Sequence, residues 1–284
     1  PIPSHTDHDE QDDFPARHYP TNAHVLRCLR LPPNLPANII DEGKVMEFLE
    51  SGYPDPSAEY LQPTDFLDFD KPIVADFAAK ALEGATTDKE KAVQAFYAVR
   101  DSIRYDPYRI TNRAEAYSAS DVLETGAAYC IPKAALLGAV TRAAGIPTAI
   151  GLSDVTNHMC SPRMAEAMGG ETLFMHHGYA VMLIDGKWVK AAPAFNIELC
   201  DKFGVTPTEF DGVEDALLQE FDQNGHKHME YVRSHGLWSD VPVQRVFDDF
   251  TEFYGPQLWD RCREAVEQNE RKQAANFEDE KPVT

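Results

Sequence analysis

Apolar residues recur at helical spacing from Lys71 onward and predict two consecutive helices. The first ends at Gly84, and the second runs from Asp88 to just before Tyr105. A short helix is predicted after Ser118, which can cap its start, and Gly126 ends it. The apolar positions of the first two helices are Ile73, Val74, Phe77, Ala78, Ala81, Leu82, Val93, Phe96, Tyr97, Val99 and Ile103.

The segment that follows Cys130 predicts a tightly packed helix rich in alanine and leucine. Gly145 and Pro147 end this helix. Proline is tolerated only in the first turn of a helix, so Pro132 fixes the helix start at or just after Cys130.

Strands are predicted downstream of this helix. Residues 148–152 form the first strand, and a loop of residues 153–176 follows. Residues 178–184 and 187–192 then form a hairpin around the turn Asp185-Gly186. Helices packed on an antiparallel sheet predict an α+β fold.

The charge balance narrows the range of partners. The chain has 26 basic and 47 acidic residues and a net charge of −21, which repels a nucleic acid backbone. This surplus could favour cationic substrates, but a well-solvated surface explains it better. No apolar run is long enough to span a membrane, and residues 1–20 are too polar for a signal peptide, so we expect a cytoplasmic protein.

The five cysteines are widely scattered and include no C-x-x-C pair, which argues against a disulfide framework and a zinc knuckle. Cys130 differs from the others by its place at a helix start. There the free backbone N–H groups and the helix dipole stabilise a thiolate, so we expect a thiol pKa below ~8.5. A nucleophilic thiolate also needs a nearby imidazole to exchange its proton.

Two stretches, residues 118–150 and 177–196, together resemble the transglutaminase-like superfamily. Gly126 to Cys130, followed by Arg142 to Pro147, corresponds to one family motif, and His177-Gly178-Tyr179 corresponds to another. The resemblance implies a papain-like fold in which a nucleophile helix packs on an antiparallel sheet. It also implies acyl chemistry with Cys130 as nucleophile and His177 as base, without a cofactor or a metal.

The third catalytic position departs from the family pattern. The family's usual aspartate corresponds to Ala192, which cannot orient an imidazole. Asn196 is a plausible substitute, whereas Asp185 lies at a hairpin tip that normally points to solvent. A backbone carbonyl or a water could also hold the imidazole. His176 becomes the base only if the strand register is shifted by one residue.

The residues expected to contact the substrate are Tyr129, His158, Tyr179, Arg109 and Arg113. The two arginines could bind a substrate carboxylate, although ordinary ion pairs explain them equally well. His158 could line the pocket, although a surface or packing role is more common. An adaptable apolar wall is a further possibility for four methionines, namely Met159, Met164, Met168 and Met175.

We predict an irregular N-terminal extension over 1–65, a catalytic core over 66–200 and a C-terminal extension with a charged tail over 201–284. The expected function is amide or peptide hydrolysis, or acyl transfer, through a thioester on Cys130. The expected substrate is a small molecule or peptide with an amide, ester or activated carbonyl. An inactive binding module and thiolate-dependent carbon–carbon cleavage remain alternatives, as does a metal-dependent hydrolase that uses His226 and His228. The oligomeric state is left open.

Overall fold

A computed structural model of the chain describes residues 53–272. Residues 1–52, which contain Cys28 and most of the predicted N-terminal extension, and residues 273–284 lie outside the described residues. No helix within 53–272 has the length and apolar character needed to cross a bilayer.

The helices are α1 (Pro72–Ala81), α2 (Asp88–Ser102), α3 (Ala119–Thr125), α4 (Cys130–Ala143), α5 (Pro162–Ala167), α6 (Ile197–Phe203), α7 (Val243–Tyr254) and α8 (Leu258–Lys272). The strands are β1 (Arg104–Tyr105), β2 (Ala127–Ala128), β3 (Thr148–Asn157), β4 (Leu173–Ile184), β5 (Lys187–Ala191) and β6 (Met229–Trp238). Short 3-10 turns cover Ala58–Leu61, Pro107–Arg109 and Ala114–Tyr117.

The predicted helices α1 to α4 form where the sequence indicates them, and local signals explain their ends. Thr87 and Glu90 close a capping box at the start of α2. The Ser118 hydroxyl accepts the backbone N–H of Asp121 at the start of α3, and Gly126, with φ 66°, ends that helix in the left-handed conformation.

The main sheet is antiparallel and has the strand order β5-β4-β3-β6. Helix α4 packs on β4 and β3. Along β4, Ala180 and Met182 belong to the core that contains α4. Tyr179 and Val181 belong to a separate cluster with Tyr60. This helix-on-sheet arrangement confirms the predicted α+β class with a nucleophile helix on an antiparallel sheet.

Helix α4 is buried on every side from Cys130 to Arg142, as expected for a central helix without a polar face. Its buried Lys133 ammonium donates to the carbonyls of Arg100 and Ile103 at 2.9 and 2.5 Å. A cation there satisfies free carbonyls at the carboxyl end of α2. The contact fixes the first turn of α4, and therefore Cys130, against α2.

The chain beyond residue 152 is more regular than the sequence predicts. In place of a loop over 153–176, β3 continues to Asn157, α5 covers Pro162–Ala167, and β4 begins at Leu173. Strand β6, from the predicted C-terminal extension, completes the sheet beside β3. Its partly buried positions include Arg233 and His235, and these polar residues hide the alternation typical of a strand.

Candidate active site

Cys130 is the first residue of α4, as predicted, and Tyr129 precedes it in an extended conformation without a side-chain cap. The backbone N–H groups of Gly178, Ile131 and Cys130 point to the sulfur, and each lowers the thiol pKa. The β4–β5 ladder begins only at Ala180, so β5 does not use the Gly178 N–H. The helix start and the open edge of β4 therefore jointly surround the sulfur with donors.

Burial outweighs the effect of these donors on the thiol pKa. Cys130 is 7% exposed, and loss of hydration raises the pKa of its thiol to about 11. The expectation of a thiol pKa below ~8.5 is therefore wrong. The helix start is packed against a strand, where an ion loses more hydration than three N–H groups restore. The resting sulfur is a neutral thiol.

His177 lines the same cavity as Cys130. Its side chain is almost fully buried, and its Nε2 has no hydrogen-bond partner among the described residues. Burial alone lowers the pKa of the imidazole to about 3, so the ring is neutral at physiological pH. Its ring meets the Tyr231 ring edge to face at 5.8 Å between centroids.

A β-bulge sets the directions of the two adjacent histidines. The β3–β4 register shifts between Ser153 and Val155, opposite His176, whose φ is 57°. His176 Nε2 lies 2.7 Å from the Asp249 carboxylate of α7, whereas His177 faces the cavity. The structure thus places His177, and not His176, in the wall of the Cys130 cavity.

The structure does not give Asn196 the contact that the sequence predicts. Its amide oxygen, expected to accept the imidazole N–H, accepts the backbone N–H of Tyr105 at 3.0 Å. Its amide nitrogen donates to Glu198 at 3.0 Å. Asn196 has these contacts because it directly precedes α6, next to the Tyr105 N–H and the Glu198 carboxylate. Asn196 therefore tethers β1 to α6.

The family's aspartate position is apolar in this protein. Ala192 is 1% exposed and packs with Tyr60 and Tyr179 on the sheet face opposite α4. The hairpin-tip residue Asp185 is exposed, as expected. Because burial alone shifts the pKa of His177, no carboxylate among the described residues compensates the loss of hydration of this imidazole.

The predicted substrate-contacting residues fall in different places. Tyr129 lines the cavity of Cys130. His158 is exposed and lies 3.2 Å from the Glu230 carboxylate, in agreement with the surface role. Tyr179 does not line this cavity. Its ring packs over Gly151, where a β-carbon would clash with the ring. Its hydroxyl hydrogen bonds to Ser153 instead.

Arg109 and Arg113 do not enter the Cys130 cavity. They line a second cavity of about 500 Å³, with Tyr129 common to the walls of both. Arg109 also lies 3.5 Å from the Asp106 carboxylate. The ion-pair interpretation therefore fits Arg109, and neither arginine is placed to bind a substrate carboxylate beside the sulfur.

Tyr105 and His228 line the Cys130 cavity, although the sequence analysis assigns neither of them to the site of Cys130. The short β1–β2 pair sets Tyr105 opposite Ala128, two residues before the nucleophile. Burial raises the pKa of the Tyr105 hydroxyl well above its usual value. His228 comes from the segment before β6. Neither residue forms a motif with Cys130, because only the fold brings them together.

A second polar cluster lies outside the cavity, around Asp154. This residue, His176 and His235 each offer one ligand atom, and these atoms lie within 4.8 Å of one another. Together the three side chains could hold a metal ion. Their atoms already form hydrogen bonds, with His235 Nε2 at 2.6 Å from Asp154. Arg233 donates to the same carboxylate at 2.6 and 2.9 Å, and its positive charge weakens Asp154 as a ligand.

The histidines near residue 226 do not converge on a metal site as the third functional hypothesis requires. His226 hydrogen bonds to Asp222 at 3.0 Å, His228 faces the Cys130 cavity, and His235 bonds to Asp154. Each of these rings has a different neighbourhood.

Comparison with known proteins finds a family model and solved structures that are similar to this chain. A model of the transglutaminase-like superfamily matches residues 75–193. Among solved structures, a candidate cysteine protease from Cytophaga hutchinsonii is similar at 16% identity and a TM-score of 0.38, covering 72% of this chain and 56% of that one. A candidate protease from Parabacteroides distasonis is similar at 19% identity and a TM-score of 0.30, covering 49% of this chain and 26% of that one.

The chain thus spans little more than half the length of the first of these structures and about a quarter of the second. None of the curated proteins matches it. The matched region contains both Cys130 and His177, which carry the sequence resemblance. The part of this chain that matches the model of the transglutaminase-like superfamily is therefore residues 75–193.

Proposed function

We propose that the protein is a cysteine-dependent enzyme that cleaves an amide, ester or related acyl bond through a thioester on Cys130. The observation that carries the proposal is one shared cavity, whose wall contains the Cys130 thiol and the His177 Nε2, a nitrogen without a hydrogen-bond partner among the described residues. Three backbone N–H groups lower the pKa of this thiol. These groups supply a nucleophile, a base and stabilisation of negative charge.

The reaction starts from two neutral groups, because burial raises the pKa of Cys130 and lowers that of His177. The thiol proton moves to the imidazole as the sulfur forms a bond to the carbonyl carbon. Free N–H groups at the start of α4 stabilise the developing oxyanion. The carbonyl then re-forms, the bond to the leaving group breaks, and the leaving group takes the proton from His177.

The resulting thioester is resolved by a second nucleophile. His177 takes a proton from water or from an amine, which attacks the thioester carbon and releases the acid or a new amide. The sulfur regains its proton from His177, so the cycle closes without an oxidant, a reductant or a metal. Hydrolysis and amine transfer differ only in which nucleophile reaches the thioester.

Turnover of p-nitrophenyl butyrate by the full chain tests the proposal. We expect Cys130→Ala and His177→Gln to lose ~100-fold or more in kcat/KM. Cys262→Ala is the matched control, because Cys262 is a buried thiol that does not line the cavity, and it should retain turnover. Full turnover by Cys130→Ala would refute the proposed function.

A further inference from the structure

The cavity that contains Cys130 has an unusual composition. No Asp, Glu, Lys or Arg among the described residues lines it. Apolar and aromatic side chains form most of its wall, and Phe195 and Phe203 are only half-buried. A charged group entering this space would lose its hydration without an ionic partner, which is strongly unfavourable.

Methionine dominates this wall. Five of the seven methionines of the chain line the cavity, and they are Met159, Met164, Met168, Met175 and Met229. Unbranched thioether side chains adapt to apolar ligands of different shape. The free volume is about 50 Å³, well below the ~150 Å³ cavity that holds benzene. A space of this size favours a short aliphatic chain over a bulky or branched one.

His228 interrupts the apolar wall with a single polar group. The residue is 3% exposed, and its Nδ1 has no hydrogen-bond partner among the described residues. Backbone hydrogen bonds hold it on both sides. Its N–H donates to the backbone carbonyl of Glu220 at 2.7 Å, and its carbonyl accepts the backbone N–H of His158 at 2.9 Å. Its ring packs at 5.7 Å from the Phe195 ring. A fixed, buried and unsatisfied nitrogen is a specific site for one polar atom of a ligand.

We propose that the acyl group of the substrate is short, aliphatic and uncharged, and that it carries one hydrogen-bonding substituent that His228 Nδ1 recognises. This inference rests on the proposed function and names its substrate class. Cys130 and His177 act on the carbonyl carbon, the methionines surround the aliphatic chain, and His228 selects the substituent. The arginines of the second cavity take no part in this selection.

Activated esters of equal chain length test the exclusion of charge on the full-length native chain. The p-nitrophenyl esters of butyrate, succinate and β-alanine differ at the chain end by a methyl group, a carboxylate and an ammonium. We expect kcat/KM, taken from the enzyme-dependent rate after subtraction of the uncatalysed rate, to fall by about 100-fold for both charged esters relative to butyrate. The ammonium ester is the control for the net charge of −21, which attracts it.

The possible outcomes separate this inference from the function on which it rests. Equal turnover of the three esters, or rapid turnover of the ammonium ester alone, would overturn the inference and leave the function intact. If the native chain turns over none of the three esters, both the inference and the proposed function are refuted.

β-Hydroxybutyryl and α-hydroxybutyryl esters test the role of His228. We expect the native chain to prefer one of them to plain butyryl by about 10-fold. His228→Leu should lose this preference, measured as the ratio of kcat/KM for the hydroxybutyryl ester to that for the butyryl ester. A native chain without the preference contradicts the role of His228, whether or not the variant folds.

Discussion

Gly178 of β4 lies so close to α4 that a β-carbon on it would stand 2.7 Å from the Cα of Ile131. No side chain larger than hydrogen fits there, because the obstacle is backbone. This contact brings the Gly178 N–H to the Cys130 sulfur and sets His177, the preceding residue, in the same cavity. The glycine between the histidine and the tyrosine is therefore a requirement of the site geometry.

Gly178→Ala should separate the start of α4 from β4. We expect kcat/KM to fall by about 10- to 100-fold, because displacements near 1 Å have effects of this size. Overpacking should also lower the free energy of unfolding by about 1–3 kcal/mol. Steady-state kinetics and urea unfolding measure the two effects.

Gly138→Ala is the matched control on the same helix. Its β-carbon would lie 2.8 Å from Leu67 Cδ2, the end of a flexible side chain, and alanine favours the helix by about 1 kcal/mol. We expect this variant to keep its activity. Equal losses in both variants would mean that the close contact at Gly178 has no special role.

The positions of Cys130 and His177 could be predicted from the sequence because local rules fix them. Pro132 permits only a helix that starts near Cys130, and Asp185-Gly186 fixes the hairpin. The protonation state of the sulfur could not be predicted. It depends on how tightly β4 covers the start of α4, which is a property of packing.

The neighbours of His177 could not be predicted from local sequence patterns either. Strand β6 carries Arg233 and His235, which neutralise the buried Asp154, so its polar residues suggest a solvated segment when read alone. Asn196 is near His177 in sequence terms, yet β1 offers it the Tyr105 N–H. Such pairings involve residues more than 75 positions apart and have no signature in spacing.

Alkylation of Cys130 by iodoacetamide should follow its raised pKa. Since the thiolate is the reactive form, the rate should keep rising with pH up to about 11 and should be slow near neutrality. Free cysteine, with a pKa of ~8.5, is the reference. Peptide mapping of the alkylated residue gives the rate for this site. A plateau below pH 8 would show that the resting sulfur is ionised.

Acid should destabilise the fold through its buried imidazoles. Burial lowers the pKa of His177 to about 3 and that of His228 to about 4, from 6.5. Between each lowered pKa and 6.5, the unfolded chain therefore binds more protons than the folded chain. The free energy of unfolding falls as the pH falls through this range. Each group contributes up to about 1.4 kcal/mol per pH unit.

Urea unfolding across this pH range measures the effect. Above about pH 4, the free energy of unfolding should depend less steeply on pH in His228→Leu than in the native chain. The slope should fall by the contribution of one histidine. An identical slope in the variant would mean that His228 is solvated and not buried in the cavity wall.

Ala192→Asp should give His177 the carboxylate that family members have at this position. We expect a rise of about 10-fold in kcat/KM, because an oriented and charge-stabilised imidazole is a better base. Burial of the new charge beside Tyr60 and Tyr179 should cost about 1–3 kcal/mol of stability. Ala192→Asn, of similar volume and without charge, is the control. No gain from Asp over Asn would show that position 192 cannot reach His177.

Trapping of the acyl-enzyme tests the central claim most directly. The native chain is mixed with p-nitrophenyl butyrate, quenched in acid within the first turnovers and mapped by peptide mass spectrometry. The account predicts one butyryl group on Cys130 and none on Cys200, a thiol in the same cavity whose pKa burial also raises to about 11. A butyryl group on Cys200, or turnover without any acylated cysteine, would contradict it.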